Sequence, residues 1–425
     1  MCINRLFEFI KASPTAYHAV DTVKKMLISH GFSEIPENDV NNAPEGKYFV
    51  TRNGSSLIAF ENKSSAYGFM VCASHGDHPA FKLKQLSETK TGSDLVLETE
   101  RYGGMVHYSW LDRPLSIAGR AIVKTDTGVR SVLINLDRDI LSIPSLAIHL
   151  NRNVNDGYKF NPSVDMRPLF GDATSEGKLI ELIAEAAGVK KEAVISHDLF
   201  VYNRDEGRLF GAQNEYLLAP ALDDLECVYT STVAFLNARG SSAIPVLAIF
   251  DNEEVGSETK QGAASTFLAD TLKRIVPNER VYRAMLGSSL MLSADNAHAR
   301  HPNHGELSDA MNAPVMNGGV VIKYNASQRY ATDGVSDALF RAICHRASIP
   351  VQSFYTRADL ISGSTLGSIS TTLVPIPTVD IGLAQLAMHC ATETAGARDP
   401  EMMIKALTEF YSSAICYNGS EYEIK

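Results

Sequence analysis

Two pairs of acidic residues and histidines have spacings that suit a metal site. His75-Gly76-Asp77 places an imidazole and a carboxylate two residues apart, and in an extended chain such side chains point to the same side. A carboxylate there can orient a metal-bound imidazole and raise its basicity. Asp295-Asn296-Ala297-His298 places an acid and an imidazole three residues apart, on one face if the segment is helical. Each pair alone is equally compatible with ordinary surface or capping residues.

Adjacent carboxylates are the second unusual feature. Asp251, Glu253 and Glu254 follow one apolar run, and Asp223-Asp224 follows another. Like charges this close repel each other unless a cation lies between them. One glutamate of such a pair can bind a metal while its neighbour acts as a general base toward metal-bound water. A solvated acidic loop and a helix N-terminus are the alternatives for the two clusters.

Together these residues favour metal-assisted chemistry over other catalytic classes. A mixed nitrogen and oxygen set suits zinc or a similar divalent ion, and its carboxylates are too many for a structural zinc site. We expect two ions that share a bridging carboxylate. The sequence contains no Walker A, Rossmann, H-E-x-x-H or G-x-S-x-G motif, which disfavours a nucleotide enzyme or a serine hydrolase. The candidate ligands are His75, Asp223, Glu254, Asp295 and His389.

Short apolar runs predict the strands that position these residues. They lie at 57–60, 67–73, 244–250, 286–292 and 378–381, and helical periodicity appears at 263–275 and 336–347. Strands that are apolar throughout and alternate with helices indicate an α/β sheet with parallel members. Most of the candidates directly follow a strand, and ligands bind beyond the carboxyl ends of parallel strands. We therefore expect the candidates to converge.

The middle of the chain has a different pattern. Alternating runs at 95–100, 120–124 and 129–136, with a turn at Asp126-Thr127-Gly128, predict antiparallel strands, and a helix is expected at 178–187. We predict a β-rich domain over residues 86–211, inserted between two parts of a catalytic domain at 1–85 and 212–425.

The composition limits which partners and which cellular compartment the sequence is compatible with. The 425 residues carry a net charge of −10, which argues against nucleic acid or an anionic membrane as a partner. The apolar stretches are shorter than the roughly 18 residues of a membrane span. Six scattered cysteines without a C-x-x-C pair fit free thiols in a reducing compartment. Arg5 and Glu8 interrupt the N-terminal apolar stretch, so we expect a soluble, cytoplasmic protein.

Longer sequence motifs resemble those of a known protein family. The chain contains, in order, SHGDHPAFKLK, YSWLDRPLSIAGR, IPSLAIHLNRN, YLLAPALDDLE, FDNEEVGSETKQGA, SADNAHARHPN, NGGVVIKYNASQRYATDG, SGSTLGSIS and VDIGLAQLAMH. Through these strings nearly the whole chain resembles the aspartyl aminopeptidase family of two-zinc metallopeptidases. The resemblance implies a metallopeptidase α/β sandwich with an inserted β-rich dimerisation domain. It also implies a homo-oligomer, namely a tetrahedral dodecamer whose active sites face an inner chamber.

The resemblance further assigns roles to single residues. It implies that two ions, zinc in the first place and cobalt or manganese as alternatives, are bound in each chain. One ion would be held by His75, Asp295 and the bridging Asp223, and the other by Glu254, His389 and Asp223. Asp77 would orient a ligand, and Glu253 would be the general base. His149 would reach a neighbouring subunit's active site, and Lys323, with Tyr330 and His298 close by, would lie near the acidic side chain of the substrate.

Five positions depart from the usual family motifs. They are Gly76, His78, Ala221, Asp224 and Asn252, and all lie beside presumed ligands. We expect metal binding to persist, whereas these substitutions beside the ligands affect how the ligands are tuned and which substrates are preferred. The leading prediction is an aminopeptidase that uses a metal-bridging water to release N-terminal Asp or Glu from peptides. The same hydrolysis with neutral or broad specificity is the alternative, and a self-assembling scaffold without catalysis is the non-enzyme alternative.

Overall fold

The structure is a computed structural model that describes residues 2–39 and 41–425. The described residues form an α/β sandwich that is interrupted by a β-rich region, as the sequence predicts. The described α-helices are Cys2–Ala12, Ala16–Ser29, Pro162–Asp165, Lys178–Ala187, Leu222–Asn237, Phe267–Ile275, Glu279–Leu286, Gly334–Arg346, Leu366–Ser370 and Asp399–Ser412.

A central sheet runs through the sandwich. Its described strands, in spatial order, are Ser33–Glu34, Gly46–Arg52, Ser56–Asn62, Ile244–Phe250, Phe69–His75, Leu290–Ala294, Thr378–Gly382, Val320–Tyr324 and Val351–Tyr355. The four strands from Ile244–Phe250 to Thr378–Gly382 are mutually parallel neighbours. Their carboxyl ends therefore lie at one edge, where the sequence predicts the site.

Both faces of this sheet are covered, which explains why its strands are apolar throughout. Along Ile244–Phe250, Val246 and Ala248 pack into a core with the helices Phe267–Ile275 and Glu279–Leu286. The intervening residues Leu247 and Ile249 pack into a second core on the opposite face. Successive side chains of a strand point to opposite faces, so one apolar run supplies both cores.

The inserted region forms a second sheet, which is antiparallel. Its described strands, in spatial order, are Val129–Asn135, Leu115–Lys124, Val194–Asn203, Ala80–Thr91, Asp94–Tyr102 and Leu169–Asp172. The helix Lys178–Ala187 contributes Leu179 and Ile183 to a core of its own. A separate core supports the predicted insertion, while its boundaries at residues 86 and 211 stay a prediction.

Two smaller sheets complete the fold. One contains Arg208–Phe210, Tyr216–Ala219, Glu393–Gly396, Ala384–Leu386 and Ala297–His298, and the other pairs Ile415–Tyr417 with Tyr422–Ile424. Ala219 pairs with Glu393 in the first of these sheets. This pairing places Glu393 beside the chain segment that leads to Asp223.

Two sequence expectations were wrong in detail, and one condition was not met. The strand expected at 286–292 begins at Leu290, because the helix Glu279–Leu286 extends to Leu286 and is followed by Gly287 and two serines. The helix expected at 263–275 begins at Phe267, after Ser265 and Thr266, residue types that favour helix N-termini. Asp295 to His298 is not helical but a loop that enters a short strand, so its spacing does not define a helix face.

Two structural observations concern the cysteines and the helices. The six cysteines are unpaired thiols. In the part of the chain that the structure describes, every helix is too short or too polar to cross a bilayer.

Candidate metal centre and active site

Each candidate ligand is placed by the end of a regular element. His75 ends the strand Phe69–His75 and lies directly beside Phe250 of the neighbouring parallel strand. Glu254 follows that neighbour in a short 3-10 helix, Glu253–Val255, and Asp295 follows the strand Leu290–Ala294. Asp223 lies in the first turn of the helix Leu222–Asn237, and His389 lies just after the strand Ala384–Leu386. The topology thus joins residues as far apart in the chain as His75 and His389.

The candidate ligands meet in one cluster. Ligand atoms of His75, Asp223, Asp224 and Asp295 all lie within 4.8 Å of one another. The same holds for the group His75, Glu253 and Glu254 and for the group Asp223, Glu254 and His389. Two of the groups share Asp223, as expected for a bridging carboxylate.

The cluster is buried and strongly acidic. Asp223 is 2% exposed and Asp224 is fully buried. Burial raises the pKa of the Glu254 carboxyl well above its usual range, and neighbouring carboxylates add to the effect. Burial alone would lower the pKa of His389, but its contacts with Asp223 and Glu254 outweigh this and raise it to about 10. The cluster therefore favours a positive charge, whether a proton or a metal ion supplies it.

Unsatisfied oxygens support the metal rather than the proton. Asp223 Oδ1, Asp224 Oδ1 and Glu254 Oε1 are buried, and none of them has a hydrogen-bond partner among the residues that the structure describes. Buried polar atoms in native proteins nearly always have partners, and a divalent ion is the partner that carboxylate and imidazole ligands suit. The donor set therefore fits a metal centre.

Asp77 connects the imidazole to the glutamate turn. Nδ1 of His75 lies 3.0 Å from the carbonyl oxygen of Asp77 and 3.5 Å from its Oδ1. The Asp77 carboxylate also accepts hydrogen bonds from the backbone N–H groups of Glu253 and Glu254, each at 3.2 Å. Asp77 thus orients His75 and also fixes both glutamates.

A cavity of about 260 Å³ adjoins the cluster and contains the predicted substrate residues. Glu253, His298, Lys323 and Tyr330 all line it. The Lys323 side chain is buried, and its Nζ donates a hydrogen bond to the carbonyl oxygen of Asn296 at 3.2 Å. The same Nζ lies 3.5 Å from Asp295 Oδ1 and 5.3 Å from the Tyr330 ring centre. Lys323 is therefore not an ordinary surface lysine at a strand end.

His149 is the one predicted site residue that lies apart from the others. It is exposed in a turn of the inserted domain. His149 is not one of the described residues that line the cavity. Its own chain therefore does not bring it to the cluster.

Comparison with known proteins identifies the family. The family model described as aminopeptidase I zinc metalloprotease, M18, matches residues 9–411. The chain belongs to the M18 family. It is thus a hydrolase of the zinc metallo-aminopeptidase class, and this confirms the family and the α/β fold with a β-rich domain that the sequence motifs indicated.

M18 relatives resemble the chain along nearly its whole length. A probable M18 family aminopeptidase 2 from Clostridium acetobutylicum is 44% identical, over 96% of this chain and 98% of the relative. Ape4 in its cryo-EM complex with Nbr1 is 32% identical, with a TM-score of 0.93 over 97% of this chain and 85% of Ape4. The mApe1 dodecamer of S. cerevesiae is 27% identical, with a TM-score of 0.84 over 96% of each chain.

The structure adds residues to this M18 site that sequence reasoning missed. The Glu393 carboxylate accepts hydrogen bonds from the backbone N–H of Asp223 at 2.9 Å and of His389 at 2.6 Å. Asp224 accepts a hydrogen bond from the backbone N–H of His75 at 3.2 Å. The sequence signal for Glu393 is an acid four residues after His389, and Asp224 stands out as one of two adjacent aspartates and as a departure from the family motif.

Proposed function

We propose that this M18 chain releases a single N-terminal residue, preferably Asp or Glu, from peptides by metal-assisted hydrolysis. One observation supports this above all. The candidate ligands come from separate segments, yet they meet at the ends of parallel strands beside a cavity lined by a glutamate and a lysine. Such a site combines metal ligands, a base and a cation within reach of one small substrate.

We assign two divalent ions to the cluster. The first ion would be held by His75, Asp295 and Asp223, and the second ion by Glu254, His389 and the shared Asp223. Zinc is the leading choice because imidazole and carboxylate ligands suit it, with cobalt or manganese as alternatives. Bound divalent ions would supply Lewis acidity that polarises the scissile carbonyl and favours ionisation of water.

Glu253 is the proposed general base. Its carboxyl lines the cavity, and its pKa is raised to about 7, mainly by burial and further by the neighbouring aspartates, while His75 opposes the shift. A pKa near neutrality suits a group that must both accept and donate a proton. Glu253 would take a proton from the attacking water and return it to the departing amine. Asp77 holds its backbone N–H and so fixes the position of the base.

Lys323 is the proposed cation for an acidic substrate side chain. An ammonium has three N–H donors, and the described contacts with Asn296 and Asp295 account for two of them. The third would be available for a substrate carboxylate, with Tyr330 and His298 as further lining residues.

The same contacts favour the alternative specificity in one respect. Because Asp295 already lies 3.5 Å from Lys323 Nζ, part of the lysine charge is compensated within the protein. A pocket with a compensated charge would accept neutral N-terminal residues as well. Broad specificity is therefore the second candidate function.

We further propose that the chain acts as a homo-oligomer, in the form of a tetrahedral dodecamer. The similar mApe1 of S. cerevesiae is a dodecamer, and residues 144–150 of this chain expose several apolar side chains. In this proposal His149 completes the active site of a neighbouring subunit. A scaffold without catalysis is disfavoured, because drift would not keep Glu253 beside a full ligand set. The cytoplasmic location stays a prediction.

Release of N-terminal Asp, Glu, Ala and Leu from matched chromogenic amides tests this function. We expect cleavage that prefers the acidic residues and stops when the metal is chelated. Equal cleavage of all four would replace acidic preference with broad specificity. Normal oligomers that cleave none of the amides, with or without added zinc, would support the scaffold.

A further inference from the structure

A short segment of the inserted domain contacts the metal centre of its own chain. Tyr102, Gly103 and Gly104 follow one another at the end of the strand Asp94–Tyr102, and each contacts a different part of the centre. We propose that these three residues, the 102–104 segment, position the ligands of the second ion. This inference rests on the proposed function and deepens it.

Tyr102 acts through Asp77. Its hydroxyl donates a hydrogen bond to Asp77 Oδ2 at 2.7 Å and accepts one from the Asn252 side-chain amide at 2.9 Å. Since Asn252 occupies the phenolic oxygen as a donor, the Tyr102 proton is directed to Asp77. Asp77 in turn accepts the backbone N–H of Glu254. The phenol therefore fixes the carboxylate that holds the Glu254 backbone.

Gly103 acts on the Glu254 side chain by contact. Its φ of +78° lies in the left-handed region that favours glycine. A Cβ at this position would lie 3.1 Å from Glu254 Cβ and 3.4 Å from Glu254 Oε2. Because Gly103 has no side chain, the segment packs closely on Glu254. This close packing restricts where the Glu254 carboxylate can lie.

Gly104 acts on His389. Its carbonyl oxygen lies 2.8 Å from His389 Nδ1, a distance at which the ring N–H donates to the carbonyl. A proton on Nδ1 leaves Nε2 as the metal-binding atom, and Nε2 lies 3.3 Å from both Asp223 Oδ2 and Glu254 Oε1.

The backbone of His389 is held from the same side. The N–H of Val106, two residues beyond the segment, donates to the His389 carbonyl oxygen at 3.0 Å. His389 has a φ of +65°, which is uncommon for a residue with a side chain. Contacts from the inserted domain therefore stabilise a backbone conformation that the residue would not favour on its own.

The first ion has a different support. The backbone N–H of Asp295 donates to the carbonyl oxygen of Ile381 in the central sheet at 2.9 Å, and the carboxylate of Asp295 faces Lys323. Gly103 and Gly104 thus contact ligands of the second ion only, whereas Tyr102 acts through Asp77, which also lies beside His75 of the first ion. A change at Gly103 should weaken binding of the second ion and leave binding of the first ion unchanged.

The sharpest test compares two glycines of the same β-hairpin. Gly103→Ala places a methyl group against Glu254, whereas Gly92→Ala has a similar left-handed φ of +63° and meets nothing within 4 Å. Both variants carry the same kind of backbone strain. Metal per chain is measured after dialysis against graded chelator, together with the visible spectrum of the cobalt-loaded protein. We expect Gly103→Ala to lose one of two ions at about 10-fold or more lower chelator concentration, and Gly92→Ala to match wild type.

Tyr102→Phe tests the segment without a change of backbone. We expect about 10- to 100-fold weaker metal binding, the usual effect of losing a partner of a metal ligand, at unchanged oligomeric mass. Tyr202→Phe is the matched control, because it removes a phenol that donates to Asn135 within the inserted domain. If Gly103→Ala fails to fold, Tyr102→Phe decides. Wild-type metal binding in the folded variants would overturn the inference.

Two further variants separate this inference from the proposed function. Glu254→Ala and His389→Ala should each lose the second ion. If both keep two ions, the ligand assignment is wrong and the inference is wrong with it. If they lose an ion while the segment variants do not, the ligand assignment stands and only the positioning role fails.

Discussion

The metal centre and residues 144–150 of the inserted domain reverse the usual rule of burial in opposite ways. In the centre, Asp223 and Asp224 are almost completely shielded from solvent. In the 144–150 segment, Leu146, Ile148 and Leu150 are 56%, 47% and 75% exposed. Carboxylates normally face water, and large apolar side chains normally pack inside.

Each reversal costs free energy in an isolated chain, and each indicates something that binds there. Buried carboxylates are stabilised by a cation, and exposed apolar side chains are stabilised by the surface of another molecule. In the proposed function, the centre carries out the chemistry and the 144–150 segment takes part in the assembly. Because His149 lies in the segment, the two regions become one site only if a neighbouring subunit brings them together.

Leu150→Asp is expected to have the largest effect. If the proposed assembly buries this position, a charge there removes about 1.5–3 kcal/mol of apolar burial and adds the cost of desolvation. The particle should dissociate, and peptide hydrolysis should be lost with it, as mass measurement and an activity assay would show. Ile28→Asp, at a 53% exposed position outside the segment, is the control and should leave both unchanged. A fully active monomer would contradict the link between the two regions.

Glu253→Gln tests the general base of the centre without removing a metal ligand. The amide keeps the shape of the side chain but cannot accept the proton, so kcat should fall by roughly 10²-fold or more. The ions should remain bound, in contrast to Glu254→Gln, which should lose metal. Steady-state kinetics with elemental analysis provide both readouts. Near-normal turnover would remove Glu253 from the role of base.

Lys323→Met tests whether the buried lysine causes the preference for an acidic N-terminal residue. A charge-assisted hydrogen bond of about 1.5–3 kcal/mol corresponds to roughly 10- to 150-fold in preference. The variant should lose this much kcat/KM for N-terminal Asp and Glu and keep its rate on Ala and Leu, which serve as internal controls. Equal loss on all substrates would mean that Lys323 supports Asp295 rather than specificity.

Asp224→Asn is expected to have the smallest effect. Burial raises the pKa of this carboxyl well above its usual range, so a neutral amide resembles the protonated acid. The amide oxygen can still accept the backbone N–H of His75. Metal affinity, measured by chelator competition, should change by less than about 10-fold. Loss of an ion would show instead that Asp224 is itself a ligand.

The sequence predicted the parts of the site that lie on the ends of strands. The apolar run before Asp251 indicates a buried strand, and parallel strands end at one edge, so the convergence of His75, Glu254 and Asp295 follows from pattern and topology. The spacing of Asp295 and His298 would place them on one face only in a helix, and the segment is a loop that enters a short strand.

The supporting contacts were out of reach for a different reason. Tyr102 contacts Asp77 across 25 residues, and Glu393 contacts Asp223 across 170. Neither residue belongs to a local pattern, since its role depends on how the inserted domain and the small sheet pack beside the centre. A single sequence predicts the ligands more readily than the residues that hold them.

Metal content together with activity is the most direct test of the account. Purified enzyme should contain two divalent ions per chain, lose its aminopeptidase activity on chelation and regain it with added zinc. His389→Ala should retain fewer ions than wild type under the same conditions. Full activity in protein that contains no transition metal would contradict the account at its centre.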